Sequence, residues 1–284
     1  MPSRHNGAEK RGTLYITATP IGNLSDISYR AVNVLKDVDF IAAEDTRVTR
    51  KLLSHLEIKK PLVSYYKHNS TASGNKILAR ILGGESCALV SDAGTPGISD
   101  PGQELVSLCA ENDVPMVIIP GACAAISALA LSGFCTSRFT FEGFLSTENK
   151  KRLTHLDGLI TEQRTMVFYE APHKLLRTLK DMYDAFGSRT ISVSRELTKI
   201  YEETLNMELP EAIVYFEENK PRGEFVIVVK GAEMAVDDTE DKLDSAIELA
   251  KSYIKSGLSK SEAVKKAADE TGCSKNALYK AVVK

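Results

Sequence analysis

Apolar and polar positions along this chain alternate between two periods. Short runs of β-branched or bulky apolar residues at 13–18, 39–43, 62–65, 87–91 and 115–119 each end in polar or Gly/Pro-rich loops, and they predict strands. Between them, 28–35, 48–56, 74–82 and 101–110 carry apolar residues at helical spacing, with Pro101 in place for a first helical turn. This βαβα alternation predicts a mainly parallel sheet covered by helices on both faces.

The second half resumes the pattern less regularly. Strands are expected at 139–142, 165–169, 190–194, 201–208 and 225–229, with a helix-like PEAIVYFEE between the last two, so a second α/β domain with a mixed sheet follows. Residues 114–137 hold no charged residue, a length that would suit a membrane span. Pro115, Pro120, Gly121 and Gly133 interrupt it, and a helix does not run through such breakers. The stretch reads instead as a buried strand PMVII, a Pro-Gly turn and a small-residue helix, joining the two domains through buried structure beside a cleft. After them, LSKSEAVKKAADETGCSKNALYKAVV has the outline of a helix-turn-helix, with Ser259 or Ser261 capping one helix and Ser274 the next. The expected division is a tail at 1–11, α/β domains at 12–118 and 119–232, an acidic linker at 233–242 and a basic helical module at 243–284.

Composition narrows the picture. Of 284 residues, 43% are hydrophobic and 26% charged, which excludes a disordered or fibrous chain. The net charge of −2 argues at face value against a nucleic-acid binder. Its distribution removes that objection, because residues 233–241 hold five acids and no base while residues 251–284 hold eight lysines and three acids. The five cysteines contain no CxxC pair, so neither a disulfide framework nor a zinc site is signalled, and a reducing cytoplasmic setting is expected.

The loop after the first strand, TPIGNLSD, lacks GxGxxG, and the chain has no GxxxxGK[ST], HExxH or GxSxG. The informative segment is LVSDAGTPGISDPG at 89–102, where turn-forming residues crowd the carboxyl end of a parallel strand, the place where α/β proteins hold ligands. A second such loop, IPGACAAISALALSG at 119–133, has only small residues where a flat ring can lie; Cys123 there reads as a small hydrophobe, with no base beside it. Charged residues also collect after strands: Glu44, Asp45 and Arg47; His173; Arg195, Glu196 and Lys199. Lys199 or His173 can assist deprotonation, Glu44, Asp45 or Glu196 can accept or orient, and Arg47 and Arg195 can hold phosphates. His68 with Asn69 is a weaker candidate.

Taken in order, TLYITATPIGNLSDIS, FIAAEDTRVTRKLL, LVSDAGTPGISDPG, IPGACAAISALALSG, FEGFL, MVFYEAPHKL, SRELTKIYEE and RGEFVIVV resemble the tetrapyrrole methylase superfamily, the class III S-adenosylmethionine-dependent methyltransferases, and within it the members that act on ribosomal RNA. The resemblance implies two α/β domains with a cleft, S-adenosylmethionine as cofactor without a metal, 2'-O-methylation of a cytidine in the decoding region of 16S rRNA, and a homodimer. It places cofactor contacts around Pro20 and Gly22; Asp92, Ala93, Gly94, Thr95, Pro96, Gly97 and Ile98; Pro120, Gly121 and Ala122; Glu170 and Ala171; and Gly223 and Glu224. Catalysis is expected from Lys199, Glu196, His173 or Glu44. RNA contacts are expected at Asp45, Arg47 and Arg195, and in the tail at Lys260, Lys265, Lys266, Lys275 and Lys280. Two alternatives stand beside this: a small-molecule methyltransferase of the same superfamily, and a ligand-sensing regulator whose Lys275 and Asn276 read DNA.

Overall fold

A computed structural model of the chain describes residues 11–66, 70–233 and 238–283, so His68 and Asn69 lie outside the described residues. The chain divides into two compact units, Met1–Gly231 and Ala232–Lys284.

The first unit begins with β1 (Leu14–Thr17), α1 (Tyr29–Asp37), β2 (Phe40–Ala43), α2 (Thr46–His55), β3 (Leu62–Ser64), α3 (Ser70–Leu82), β4 (Cys87–Val90), α4 (Gln103–Glu111) and β5 (Met116–Ile119). The five strands form one parallel sheet in the order β3-β2-β4-β1-β5. Alternate residues feed opposite faces, as strand geometry requires. Phe40, Ala42, Cys87 and Leu89 pack with Ile77, Ile81 and Leu105 of α3 and α4, whereas Ile41, Ala43, Ala88 and Val90 pack with Leu35 and Leu53 of α1 and α2. The order places β1 between β4 and β5, so the loops leaving these three strands meet at one edge of the sheet.

α5 (Ala124–Leu131) leads into β6 (Phe139–Phe144), α6 (Asn149–Asp157), β7 (Thr165–Glu170), α7 (Pro172–Phe186), β8 (Thr190–Arg195), β9 (Glu203–Glu208), α8 (Leu209–Glu218) and β10 (Phe225–Val229). The second sheet is mixed, in the order β6-β7-β10-β8-β9, with only β6 and β7 parallel. Phe225, Ile227 and Val229 of β10 face the apolar residues of α6, α7 and α8, while Val226 and Val228 face α5. Buried Arg152 of α6 is held by Asp181 of α7 at 2.6 Å and by the carbonyls of Ser146 and Thr147.

Several details differ from the sequence reading. Pro101 precedes α4 rather than opening it, because Gly102 is the N-cap and the chain turns sharply there. Residues 114–137 are not uniformly buried: β5 is an edge strand, and Ile118 and the α5 residues Ile126 and Leu131 are each about half exposed. The boundary drawn at 118 falls inside β5.

The second unit packs α9 (Asp238–Lys255), α10 (Lys260–Thr271) and α11 (Lys275–Val283) around Ala246, Ala250, Val264, Ala267 and Leu278. Ser259, not Ser261, caps α10, in a reciprocal box with Glu262. α9 begins at Asp238, inside the stretch expected as linker, where acids suit a helix N-terminus. No helix among the described residues is long and apolar enough to cross a membrane.

Candidate active site

Three loops leave the carboxyl edge of the parallel sheet and meet the second sheet around a pocket of 480 Å³, within the range of small-molecule sites. Its position follows from backbone pairing. Thr19, after β1, and Gly94, after β4, exchange N–H···O bonds of 2.9 and 3.1 Å, so the TPIGN and DAGTPG loops form one rigid lip. The Ala125 amide at the start of α5 donates to the Tyr169 hydroxyl of β7 at 3.1 Å, which ties the third loop to the second sheet. Burial pushes that phenol up to about 12, so it stays protonated.

Of the expected cofactor residues, Ala93, Gly94, Thr95, Ile98, Glu170, Ala171 and Glu224 line the pocket. Pro20, Gly22, Asp92, Pro96, Gly97, Pro120, Gly121, Ala122 and Gly223 stand in the same loops but do not line it. The Glu170 side chain is turned away: it is buried, accepts from Thr178 at 2.6 Å, and pairs with Lys174 at 2.8 Å. Its role there is to fix the start of α7, leaving backbone and Ala171 at the wall.

The opposite wall is the turn after β8. Glu196 and Thr198 both have left-handed backbone (φ 50° and 67°), a costly conformation for residues with side chains. The turn is held by Lys199, whose ammonium bonds Glu196 at 3.0 Å and Glu224 at 2.9 Å, and by the Glu224 amide, which donates to Glu196 at 3.1 Å. Two glycines make this closure possible. A side chain at Gly22 would overlap Lys199, and one at Gly223, itself at φ 84°, would overlap the Glu196 carboxylate. Burial lowers the Lys199 pKa, but hydrogen bonds to Glu224 and Glu196 outweigh it and carry the ammonium above its ordinary value. Burial likewise raises Glu196, and the bonds from Lys199 and the Glu224 amide bring it below the usual range. The Lys199 ammonium is thus held in place between two carboxylates, and Glu196 is occupied by its partners.

His173 lines the pocket from the first turn of α7 and is exposed. Glu44, Asp45, Arg47 and Arg195 do not line it. Asp45 caps α2 and grips Arg47 at 2.6 Å, which draws the carboxyl down to about 2; Arg195 pairs with Glu203 at 2.8 Å. Glu44 lies next to Asp92, accepting from its amide at 3.4 Å, and burial moves both carboxyls upward.

The residue that sequence reading passed over is Asp100. It stands half-buried in the pocket wall at the end of the GISDPG loop, and burial, reinforced by Glu44, pushes its carboxyl up to about 6. No ion pair engages it among the described residues. Only its place in a turn-rich loop pointed to it. Ile21, Phe144 and Leu197 are further wall residues, which lie in the motifs TPIGNLSD, FEGFL and SRELTKIYEE but carry no polar group to single them out. Cys123 borders the pocket as the N-cap of α5, and Cys87 and Cys109 are buried thiols pushed up to about 12 and about 11 by that burial. Among the described residues no His, Cys, Asp and Glu cluster could hold a metal ion. In the second unit, Lys260, Lys265, Lys266, Lys275 and Lys280 are all exposed, with Lys266 lying over the Tyr253 ring at 4.3 Å.

Residues 13–213 match the family model described as Tetrapyrrole (Corrin/Porphyrin) Methylases. The chain is 49% identical to the ribosomal RNA small subunit methyltransferase I of a Synechocystis species over 94% of this chain and 96% of the relative. It is 45% identical to the protein of that name from Bacillus subtilis, over 97% and 96%. Among solved structures it is similar to a uroporphyrin-III-C-methyltransferase from Thermus thermophilus (TM-score 0.56, 18% identity, 77% of this chain and 94% of that one) and to a diphthine synthase (TM-score 0.59, 12% identity, 77% and 89%), likenesses that concern the fold alone.

Proposed function

Because the chain belongs to the tetrapyrrole methylase family and, within it, to the ribosomal RNA small subunit methyltransferase I proteins, we propose that it transfers a methyl group from S-adenosylmethionine to the ribose 2'-hydroxyl of a cytidine in the decoding region of 16S rRNA. The observation that carries the chemistry is a half-buried carboxylate, Asp100, in the pocket wall, which no lysine or arginine pairs among the described residues, unlike Glu196 and Glu224 of the facing wall, which Lys199 holds.

The pocket suits such a cofactor on its own chemistry. Ala93, Gly94, Ala124 and Ala171 leave room for a flat heterocycle, and Asp100, Glu196 and Glu224 supply negative charge for a cationic group. When bound, S-adenosylmethionine supplies a methyl group made electrophilic by its sulfonium. The protein's part is alignment, exclusion of water and removal of a proton. Asp100 takes the proton of the acceptor hydroxyl at a carboxylate oxygen; with a pKa of about 6 it is ionised near neutral pH and still basic enough to share that proton. Lys199 holds the two glutamates of the facing wall and presents a fixed cation to the substrate. His173 at the rim, with Arg47 and Arg195, orients the incoming RNA, and the exposed lysines of α10 and α11 add phosphate contacts.

A homodimer is part of the proposal. The half-exposed Ile118, Ile126 and Leu131 offer apolar surface for such an interface, and sedimentation would show the doubled mass.

The decisive experiment maps ribose methylation in 16S rRNA from a deletion strain, before and after treatment with purified protein and labelled S-adenosylmethionine. A decoding-region cytidine unmethylated in the strain and methylated by the protein is the expected result. An unchanged cytidine in the deletion strain overturns the reading, and binding of a corrinoid precursor without action on small subunits would replace it.

A further inference from the structure

We propose that the exposed face of α2 and the loop after it form a phosphate-binding track, which takes the RNA backbone on either side of the nucleotide in the pocket. The inference rests on the ribosomal RNA reading above and extends it to a surface that the pocket does not include.

Between residues 47 and 60 stand five cations, Arg47, Arg50, Lys51, Lys59 and Lys60, against one acid, Glu57. Their placement follows from the helix. Thr49 and Leu53 face inward and are buried, so Arg47, Arg50, Lys51 and Ser54, spaced three and four apart, share the outer face. At the end of α2, Glu57 takes left-handed backbone, and the returning Ile58 amide bonds the Leu53 carbonyl at 2.8 Å. This brings Lys59 and Lys60 beside Arg50, and the three line a groove of 770 Å³. Glu57 lies in the same groove, and Lys60 donates to the Val38 carbonyl at 2.6 Å.

The charges are not balanced internally. Asp45 holds Arg47, but among the described residues no carboxylate pairs with Arg50, Lys51 or Lys59. Like charges three or four residues apart on a helix disfavour it, so this face gains most from an external polyanion. It is also continuous with the pocket rim. Asp45 is the N-cap of α2, and its amide donates to Asp92 at 3.1 Å, one residue before Ala93 of the pocket wall. A ten-residue helix rises about 15 Å, the length of a few nucleotides, so a strand that leaves the pocket and follows α2 passes Arg50 and Lys51 before it reaches Lys59, which stands just before β3 at the opposite edge of the sheet.

The test uses the full chain with Arg50→Gln, Lys51→Gln and Lys59→Gln combined, measuring affinity for protein-free 16S rRNA across a potassium chloride series. Loss of three phosphate contacts is expected to flatten the slope of log K against log salt by about 2 and to weaken binding about 100-fold at 0.1 M salt. Melting temperature should stay at or slightly above the wild-type value and S-adenosylmethionine binding should be unchanged, which shows that the fold is intact. Arg50→Lys alone should keep nearly full affinity, because a phosphate accepts a point charge. If the wild-type protein methylates 16S rRNA and the triple variant keeps its affinity and slope, the track is refuted while the function stands; if the wild type does not methylate rRNA, the function itself fails. Undiminished binding to naked rRNA with lost binding to assembled subunits also overturns the track, in favour of an acidic protein partner.

Discussion

Replacing Asp100 by Asn separates the role of this carboxylate in catalysis from its effect on the fold. The side chain keeps its shape and its capacity to hydrogen-bond, and loses only ionisation. In the folded protein the carboxyl titrates at about 6, against 3.8 when unperturbed. Between those values the folded state holds a proton that the unfolded state releases, so wild-type stability is full below about pH 4 and declines as pH rises through about 6. At about 1.36 kcal/mol per unit the shift would be worth roughly 3 kcal/mol in a fully desolvated site. Asp100 is half-buried, so solvent screening reduces this to roughly 1 kcal/mol. The variant is therefore expected to match wild type in urea unfolding at pH 4, to be more stable by about that amount at pH 7.5, and to lose methyl transfer by a factor on the order of 100 or more. The remaining activity should no longer rise between pH 5 and 7. A stability difference independent of pH, or a variant with wild-type kcat, would refute the assignment.

Arg152→Ala leaves Asp181 without its buried partner and should cost about 3–5 kcal/mol by chemical denaturation, with Arg152→Lys falling between. Gly223→Ala forces a side chain into left-handed backbone against Glu196; a cost of about 1–3 kcal/mol and a weakened ligand affinity by calorimetry are expected. A chain ending at residue 231 should still bind S-adenosylmethionine and bind 16S rRNA more weakly, with a flatter salt dependence; unchanged RNA affinity would remove the lysines of α10 and α11 from the interface. Cofactor and RNA should bind cooperatively, about fivefold, and the coupling should shrink with S-adenosylhomocysteine, which lacks the sulfonium charge.

What the sequence displayed follows from the range of each signal. Strands such as residues 87–90 and 225–229 are buried on both faces and show as uninterrupted apolar runs, so their positions were legible. α7 was equally available in principle, with Leu175, Leu179 and Met182 on one helical stripe, but it was read as the end of a motif. The ligand loops were visible because their turn residues are contiguous. The pairings that build the site are not: Lys199 meets Glu224 across 25 positions, and Tyr169 receives the Ala125 amide across 44. A lysine followed by acids looks the same in sequence whether it is a base or an ion-paired strut. Asp100 was hidden for the same reason, since its titration depends on burial and on Glu44, which belongs to another strand's loop.

The same geometry resolves how a chain with a net charge of −2 can serve a polyanionic substrate. Four acids, Glu44, Asp45, Asp92 and Asp100, gather in the loops beside the pocket, and taken alone they would repel RNA. Asp45 is neutralised by Arg47, and partial burial raises the other three carboxyls above their ordinary values. Inside the cavity itself the carboxylates are Asp100, Glu196 and Glu224, whose negative charge favours a cationic cofactor over free phosphate. Within the same unit, positive charge lies outside the cavity on the outer face of α2, and the second unit carries exposed lysines of its own. Because exposed charges more than about 8 Å apart are largely screened at physiological salt, the field of the cavity and that of the far end of α2 act on different parts of the substrate complex instead of cancelling. Net charge is then a poor guide to partner class here, and the sign of each surface is the better one.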